Sequence, residues 1–441
     1  MSATKVFYII AGGTFVDIAP HFALAAPALG RTGVALSRLL PEAMIAAGRI
    51  NVKTQLILTS MAQGVHERAA DERRLFTEAG IRDLRTNQDL DQLLTHLVKR
   101  EDTTGIILAA AVCDFEPAEL MPAYTNDGAS FGRKTHPRLS SHSALTHTLL
   151  LKPSNKLVRR IRATRKDLFL VGFKTTVGET PDAQYFKGLD LVKKASCNLV
   201  VANDLTTGLN MVITPEQARY HETTDRLAML KGLAEMVALR SNLHFTRVEV
   251  VPGDAIPWSS ELVPASLRAV VDHCCARGAY KPFLGSTVGH FAVKVDDQTI
   301  LTSRRKTNFN HLDETGLVML KNLGPDRMLA YGSKPSVGGQ SQRIVFSEHP
   351  DVDCIVHFHC PIKPDSPVAV RSQRPYECGS HECGANTSAG LMRFDNIRAV
   401  MLDKHGPNIV FHRDTDPAKV IRFIEDNFDL EGRTDNVRDA A

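Results

Sequence analysis

One short run constrains this chain more than any other: Ile355-Val356-His357-Phe358-His359-Cys360. Branched apolar residues lead into it, the composition of a buried strand. Residues two apart on a strand emerge on the same face. His357 and His359 therefore offer two imidazoles to one side, at a spacing suited to a single metal ion. A third candidate follows at His405, where Met401-Leu402-Asp403-Lys404-His405-Gly406 is again an apolar run ending in a turn signal. Three imidazoles leave a coordination position open, which is a catalytic arrangement, whereas a closed structural site takes four protein ligands. The plainer alternative is a core strand with two histidines satisfied by ordinary hydrogen bonds.

At 441 residues the chain has room for two or three domains. Hydrophobic residues make up 43% and charged residues 23%, the balance of a soluble globular protein. A formal net charge of +4 over this length argues for neither nucleic acid nor a membrane surface as partner. No apolar run is long enough to span a bilayer. The opening run Lys5–Gly13 passes from apolar residues into a glycine turn without a cleavage site, so it reads as a first core strand, not a signal peptide. The eight cysteines fit no disulfide framework, and reduced thiols in a cytoplasmic protein are expected. Cys378 and Cys383 flank His381, but that spacing matches no standard zinc knuckle.

Residues 1–242 alternate short apolar runs with amphipathic ones. Strands are expected over Val6–Ile10, Thr54–Leu58, Gly105–Ala110, Leu168–Gly172 and Leu199–Ala202, with helices between them. The fold class is α/β, a mostly parallel sheet covered by helices, and ligands bind such sheets outside the carboxyl ends of the strands. Gly12 and Gly13 end the first strand, where glycine lets a backbone approach a phosphate; a tight turn with no ligand explains them equally well. Asp114 ends another apolar strand, where a carboxylate can hold a hydroxyl or amine.

The order of Ala11-Gly12-Gly13-Thr14, Gly30-Arg31-Thr32-Gly33, Ala109–Pro117, Asn155-Lys156-Leu157, Val171-Gly172-Phe173-Lys174 and Val200-Val201-Ala202-Asn203-Asp204 resembles the phosphopantothenoylcysteine synthetase (phosphopantothenate–cysteine ligase) family. The resemblance implies a Rossmann-like domain that binds CTP or ATP with Mg2+ near Gly12, Gly13, Asp114, Phe173 and Lys193. Two elements depart from the family. Ala26-Pro27-Ala28-Leu29-Gly30 has no amide or hydroxyl where the family carries an asparagine and serines. Arg138 stands in place of the family's activating lysine; it can offset phosphate charge, with different contact geometry.

Residues 243–262 lose periodicity and read as a linker into a second domain, 263–441, with His244–Val251 open to reading as a last strand. A hairpin over Gly285–Ser303, a helix over Asp313–Leu320 and another over Gln342–Glu348 are expected. Arg304-Arg305-Lys306 can hold a phosphate or lie in a solvated loop. Pro350-Asp351-Val352-Asp353-Cys354-Ile355-Val356-His357-Phe358-His359, Gly379-Ser380-His381-Glu382 and Leu402-Asp403-Lys404-His405-Gly406 resemble the class II aldolase/adducin family. The resemblance implies an α/β domain with a central antiparallel sheet. It also implies a divalent metal, Zn2+ foremost, on His357, His359 and His405. The family's general acid/base glutamate is replaced by Gly338 and its phosphate-cradling asparagine by His290, while Ser336 survives from its serine pair. Glu382, His381 and Glu348 are the candidates for the missing base.

The expectation is a two-domain cytoplasmic enzyme. A metal-dependent lyase domain, for retro-aldol cleavage, epimerisation or dehydration of a small phosphorylated or carbonyl substrate, is fused to a CTP/ATP-binding ligase-like domain. The alternative is a carboxylate–amine ligase with a non-catalytic aldolase-like domain. By resemblance to both families, a homo-oligomer, dimer or tetramer, is expected.

Overall fold

The computed structural model describes residues 4–19, 21–63, 68–118, 149–338 and 341–434. The chain divides into two compact units, residues 1–213 with 221–241, and residues 214–220 with 242–441.

The first unit is built on β1 (Lys5–Gly13), β2 (Val52–Leu58), β3 (Thr103–Ala111), β4 (Phe169–Thr176) and β5 (Leu199–Asp204). They run parallel in the order β2-β1-β3-β4-β5. Residues Phe7–Ala11 of β1 are at most 2% exposed, as a strand covered on both faces requires. Beyond β5 the sheet continues through β6 (Asn210–Ile213), which is antiparallel, and β7 (Arg219–Thr223). These two edge strands carry no signal strong enough to read from sequence. The connecting helices include α1 (Arg31–Ala46), α2 (Ala70–Ala79), α3 (Asn87–Lys99), α4 (Leu157–Thr164), α5 (Pro181–Ala195) and α6 (Arg226–Arg240). Their starts follow from local chemistry: Thr86 and Asp89 form a reciprocal capping box on α3, and Thr180 caps α5 just before Pro181. The strand order reverses between β1 and β3, and sheets of this kind take ligands at the carboxyl ends of such a reversal, which here lies next to Gly12, Gly13 and Asp114.

The second unit carries a largely antiparallel sheet of β8 (Arg247–Val251), β9 (His290–Lys294), β10 (Thr299–Ser303), β11 (Leu317–Asn322), β12 (Arg327–Tyr331), β13 (Cys354–His357), β14 (Val370–Arg371), β15 (Ile397–Leu402) and β16 (Gly406–Phe411). The order is β8-β12-β11-β10-β9-β13-β16-β15-β14. Helices α7 (Ala265–Ala276), α8 (Gln342–Glu348), α9 (His381–Gly390) and α10 (Pro417–Asn427) flank it. One apolar cluster joins Leu267, Val271, Phe291, Val356 and Ile424; a second, on the other face, joins Ala292, Val345, Phe346 and Ile355.

Within 243–262, Arg247–Val251 pairs with β12, Ile256 bridges Leu317, and Trp258 is 4% exposed. One expectation is corrected. The helix expected over Asp313–Leu320 is a single turn, Leu312–Thr315, followed by β11. Gly316 adopts φ 62°, which ends the turn, and the apolar run after it pairs with β10.

Candidate metal centre

β13 lies between β9 and β16, with His357 opposite both His290 and Asn408. His359 follows two residues on, just past the strand. His405 sits in the tight turn between β15 and β16, where Gly406 has φ 143°. A side chain at position 406 would overlap the carbonyl of Phe358 and reach within 3.3 Å of the His357 ring. Glycine there lets the turn close onto the histidine strand.

The three rings converge. Their centroids are 5.1 Å apart for His357 and His359, 4.5 Å for His357 and His405, and 4.9 Å for His359 and His405. One ring nitrogen from each lies within 4.8 Å of the others, the only such group of potential ligands among the described residues. All three residues are buried, with exposures of 1%, 7% and 3%. His357 Nδ1 is 2.8 Å from the carbonyl of Pro407, which can only accept, so Nδ1 carries the proton. Nε2 keeps its lone pair and is buried without a partner among the described residues. Burial pushes the His357 imidazole down to about 4, with the Pro407 carbonyl opposing weakly, so the ring is neutral at pH 7. Such an orphaned acceptor is costly in a bare core and is what a metal site requires. The donor set therefore fits a divalent cation. Thr434 supports it from behind, donating through its backbone to the His359 carbonyl at 3.3 Å and through its hydroxyl to the His405 carbonyl at 3.2 Å. Nothing in the sequence pointed to that residue.

Other candidates are not brought into this group. Glu382, in the first turn of α9, accepts from the His244 backbone at 3.0 Å and lies 2.6 Å from its Nδ1. Its carboxyl sits below the usual range: burial opposes this, but the His244 hydrogen bonds prevail. His381 Nε2 is 2.9 Å from the Thr246 hydroxyl and 3.2 Å from Arg343. These two residues fasten the segment around β8. Glu348 is exposed at the end of α8. Arg304 donates to the Thr315 carbonyl at 2.5 Å and the Ser333 hydroxyl at 3.0 Å, tied to its own loop instead of held free for phosphate. Ser336 is 8% exposed, and its hydroxyl has no partner among the described residues. Cys383 lies against Gln373 and joins no metal group.

In the first unit, close packing accounts for both glycines. A side chain at Gly12 would overlap Thr59, and one at Gly13 would overlap the Ala26 backbone and Met61. Asp114 pairs with Lys156 at 2.5 Å on the surface. Phe173 is half-buried on β4. Lys193 occupies the last turn of α5, which runs back from the carboxyl ends of the strands, so it lies at the edge opposite Gly12 and Asp114. Arg138 lies outside the described residues. Sequence reasoning missed the hydrogen-bond junction there: the Thr14 hydroxyl donates to Asn87 Oδ1 at 2.6 Å, and Asn87 Nδ2 donates to the Cys113 carbonyl at 2.8 Å, joining the ends of β1 and β3. Asp204 accepts from the backbone of Thr207, Glu179, Gly178 and Thr206 and from the hydroxyls of Thr176 and Thr207. The Thr207 backbone bond leads in holding its carboxyl far below the usual carboxylate range.

Residues 271–363 match the family model of the Class II Aldolase and Adducin N-terminal domain. No curated protein matches the chain. Among solved structures, the DNA/pantothenate metabolism flavoprotein from Streptococcus pneumoniae is similar at 21% identity over 52% of this chain and 96% of its own, with a TM-score of 0.38. The C-terminal domain of the coenzyme A biosynthesis bifunctional protein CoaBC is similar at 15% identity over 53% and 91%, with a TM-score of 0.33. L-fuculose 1-phosphate aldolase is similar at 16% identity over 36% and 81%, with a TM-score of 0.28. The family match lies in the second half of the chain. No helix among the described residues is long and apolar enough to cross a membrane.

Proposed function

We propose that the second unit is a metal-dependent lyase acting on a small carbonyl or phosphorylated polyol compound. The observation that carries this is the convergence of His357, His359 and His405, with His357 Nε2 buried and unpartnered. The three imidazoles hold the metal, Zn2+ by the chemistry of the donors. When bound, it supplies a Lewis acid that polarises a carbonyl oxygen. The Pro407 carbonyl fixes the tautomer of His357 and so keeps Nε2 available. Burial of all three rings keeps bulk water from competing for the donors. Metal content of the purified protein tests this: about one divalent ion per chain in the wild type and none in His359→Ala is expected. Equal content in both would refute the site.

For the first unit, the reversal of strand order between β1 and β3 favours a second, accompanying reading: it binds CTP or ATP with Mg2+. Pyrophosphate or nucleoside monophosphate released on adding carboxylate and amine marks retained ligase chemistry. Nucleotide binding without release leaves a binding module.

A further inference from the structure

Of the three converging histidines, only His357 lies within a strand, where it is paired on both sides. His359 lies two residues past the end of β13, and His405 occupies the turn after β15, next to Lys404 at φ 56°. Ladder pairing therefore fixes the backbone of His357, while the other two depend on what grips the carbonyls of a chain end and a turn.

The segment that grips them comes from much further along the chain. As α10 ends, the chain runs antiparallel beside residues 359–363. The Lys363 amide donates to the Asn427 carbonyl at 2.8 Å, Ile362 bridges Phe428, and the Asp429 amide donates to the Pro361 carbonyl at 2.9 Å. Burial anchors this course: Phe428 and Leu430 both belong to the larger apolar cluster. The buried Lys281 ammonium donates to the Leu430 carbonyl at 2.5 Å. Gly432 passes so close to Pro361 that a side chain there would come within 2.8 Å of its ring. The run reaches Thr434, which bonds both histidine segments at once. Its amide donates to the His359 carbonyl at 3.3 Å and its hydroxyl to the His405 carbonyl at 3.2 Å. A β-branched side chain has few rotamers, so the hydroxyl is aimed at little entropic cost.

We infer that residues 427–434 are a strap and that Thr434 is its clasp, a positioning residue that sets the spacing of His359 and His405 and so governs how long the triad keeps its ion. This rests on the metal-site reading above. Thr434 binds no metal itself. By tying the two ligand backbones to one point it keeps their rings from drifting apart, and a triad held at one spacing releases its ion slowly.

The test uses the full chain with Co2+ in place of the native ion. Cobalt absorption reports the geometry around the ion, and its decay in excess EDTA reports retention. Thr434→Val keeps the shape and the amide but removes the hydroxyl. It is expected to lose cobalt about three- to tenfold faster than the wild type, the effect of one lost hydrogen bond, and to show an altered visible spectrum. Thr434→Ser, which restores the hydroxyl, is expected to recover most of both. Wild-type release and spectrum in Thr434→Val overturn the inference. A lower Tm of the metal-free variant beside an unchanged spectrum overturns it too, as the mark of a merely structural bond. So does a Thr434→Ser variant that recovers neither property. A wild type that takes up no cobalt sinks the triad reading itself, a failure visible before any substitution is made.

Discussion

The histidine cluster of the second unit and the carboxyl edge of the parallel sheet in the first were both marked by the sequence as sites, and the structure finishes them differently. At the cluster, a polar atom is buried and left over: His357 Nε2 has no partner among the described residues. At the sheet edge, the protein supplies many of the partners itself, although Thr59 Oγ1 and Ser154 Oγ are buried without one among the described residues. Thr14, Asn87 and the Cys113 backbone satisfy one another, Asp114 has Lys156, and Asp204 collects six hydrogen bonds. What sets the cluster apart is that its leftover nitrogen belongs to a group of three converging donors, the arrangement a cation requires.

That contrast can be broken by experiment. The largest effect is expected at the cluster, where His405→Ala should lower metal affinity by more than the roughly 10- to 100-fold typical of losing an outer partner. Isothermal titration of the metal-free protein with Zn2+ checks it, and near-normal affinity would remove the distinction between the two regions. Next in size is Gly12→Ala at the sheet edge. Its φ of 110° and the overlap with Thr59 should cost about 2–4 kcal/mol in denaturant unfolding. A neutral outcome would mean that the first turn is looser than its packing implies.

Asp204 gives a prediction with a defined sign. Its folded-state carboxyl is held below the unfolded value, so the stability it contributes is present above roughly pH 4 and drains away as pH falls below that. Unfolding curves between pH 6 and 3 should therefore steepen in the wild type and flatten in Asp204→Asn. Parallel curves would show that the bonds to Asp204 are not what ties the loops after β4 and β5. The smallest effect belongs to Lys156→Ala. An exposed ion pair with Asp114 is worth at most about 1 kcal/mol, so stability should barely move. A fall in nucleotide affinity without a fall in stability would turn that pair from surface furniture into part of a nucleotide site.

What sequence could reveal follows the same division. His357 and His359 were legible because strand periodicity is local, and His405 because a turn signal closes its run. The five parallel strands were legible as buried apolar runs between amphipathic helices. β6 and β7 were not, since four and five residues at a sheet edge leave no periodicity to count. β11 was masked by the charged turn before it, with Gly316 dividing the two. Asn87 and Asp204 act through partners on other elements, and Thr434 lies 29 residues from His405. A side chain at Gly338 would overlap the His290 ring; that contact depends on β9 meeting a loop nearly fifty positions away, and no spacing rule carries that distance.

Gly406 has no atom that can bind a cation, yet its missing side chain is what allows the last histidine to lean against the other two. In a survey scoring every single substitution for zinc retention, this silent position should rank beside the imidazoles themselves. Such a hairpin converts backbone geometry into coordination chemistry, and a catalogue restricted to donor atoms would overlook it.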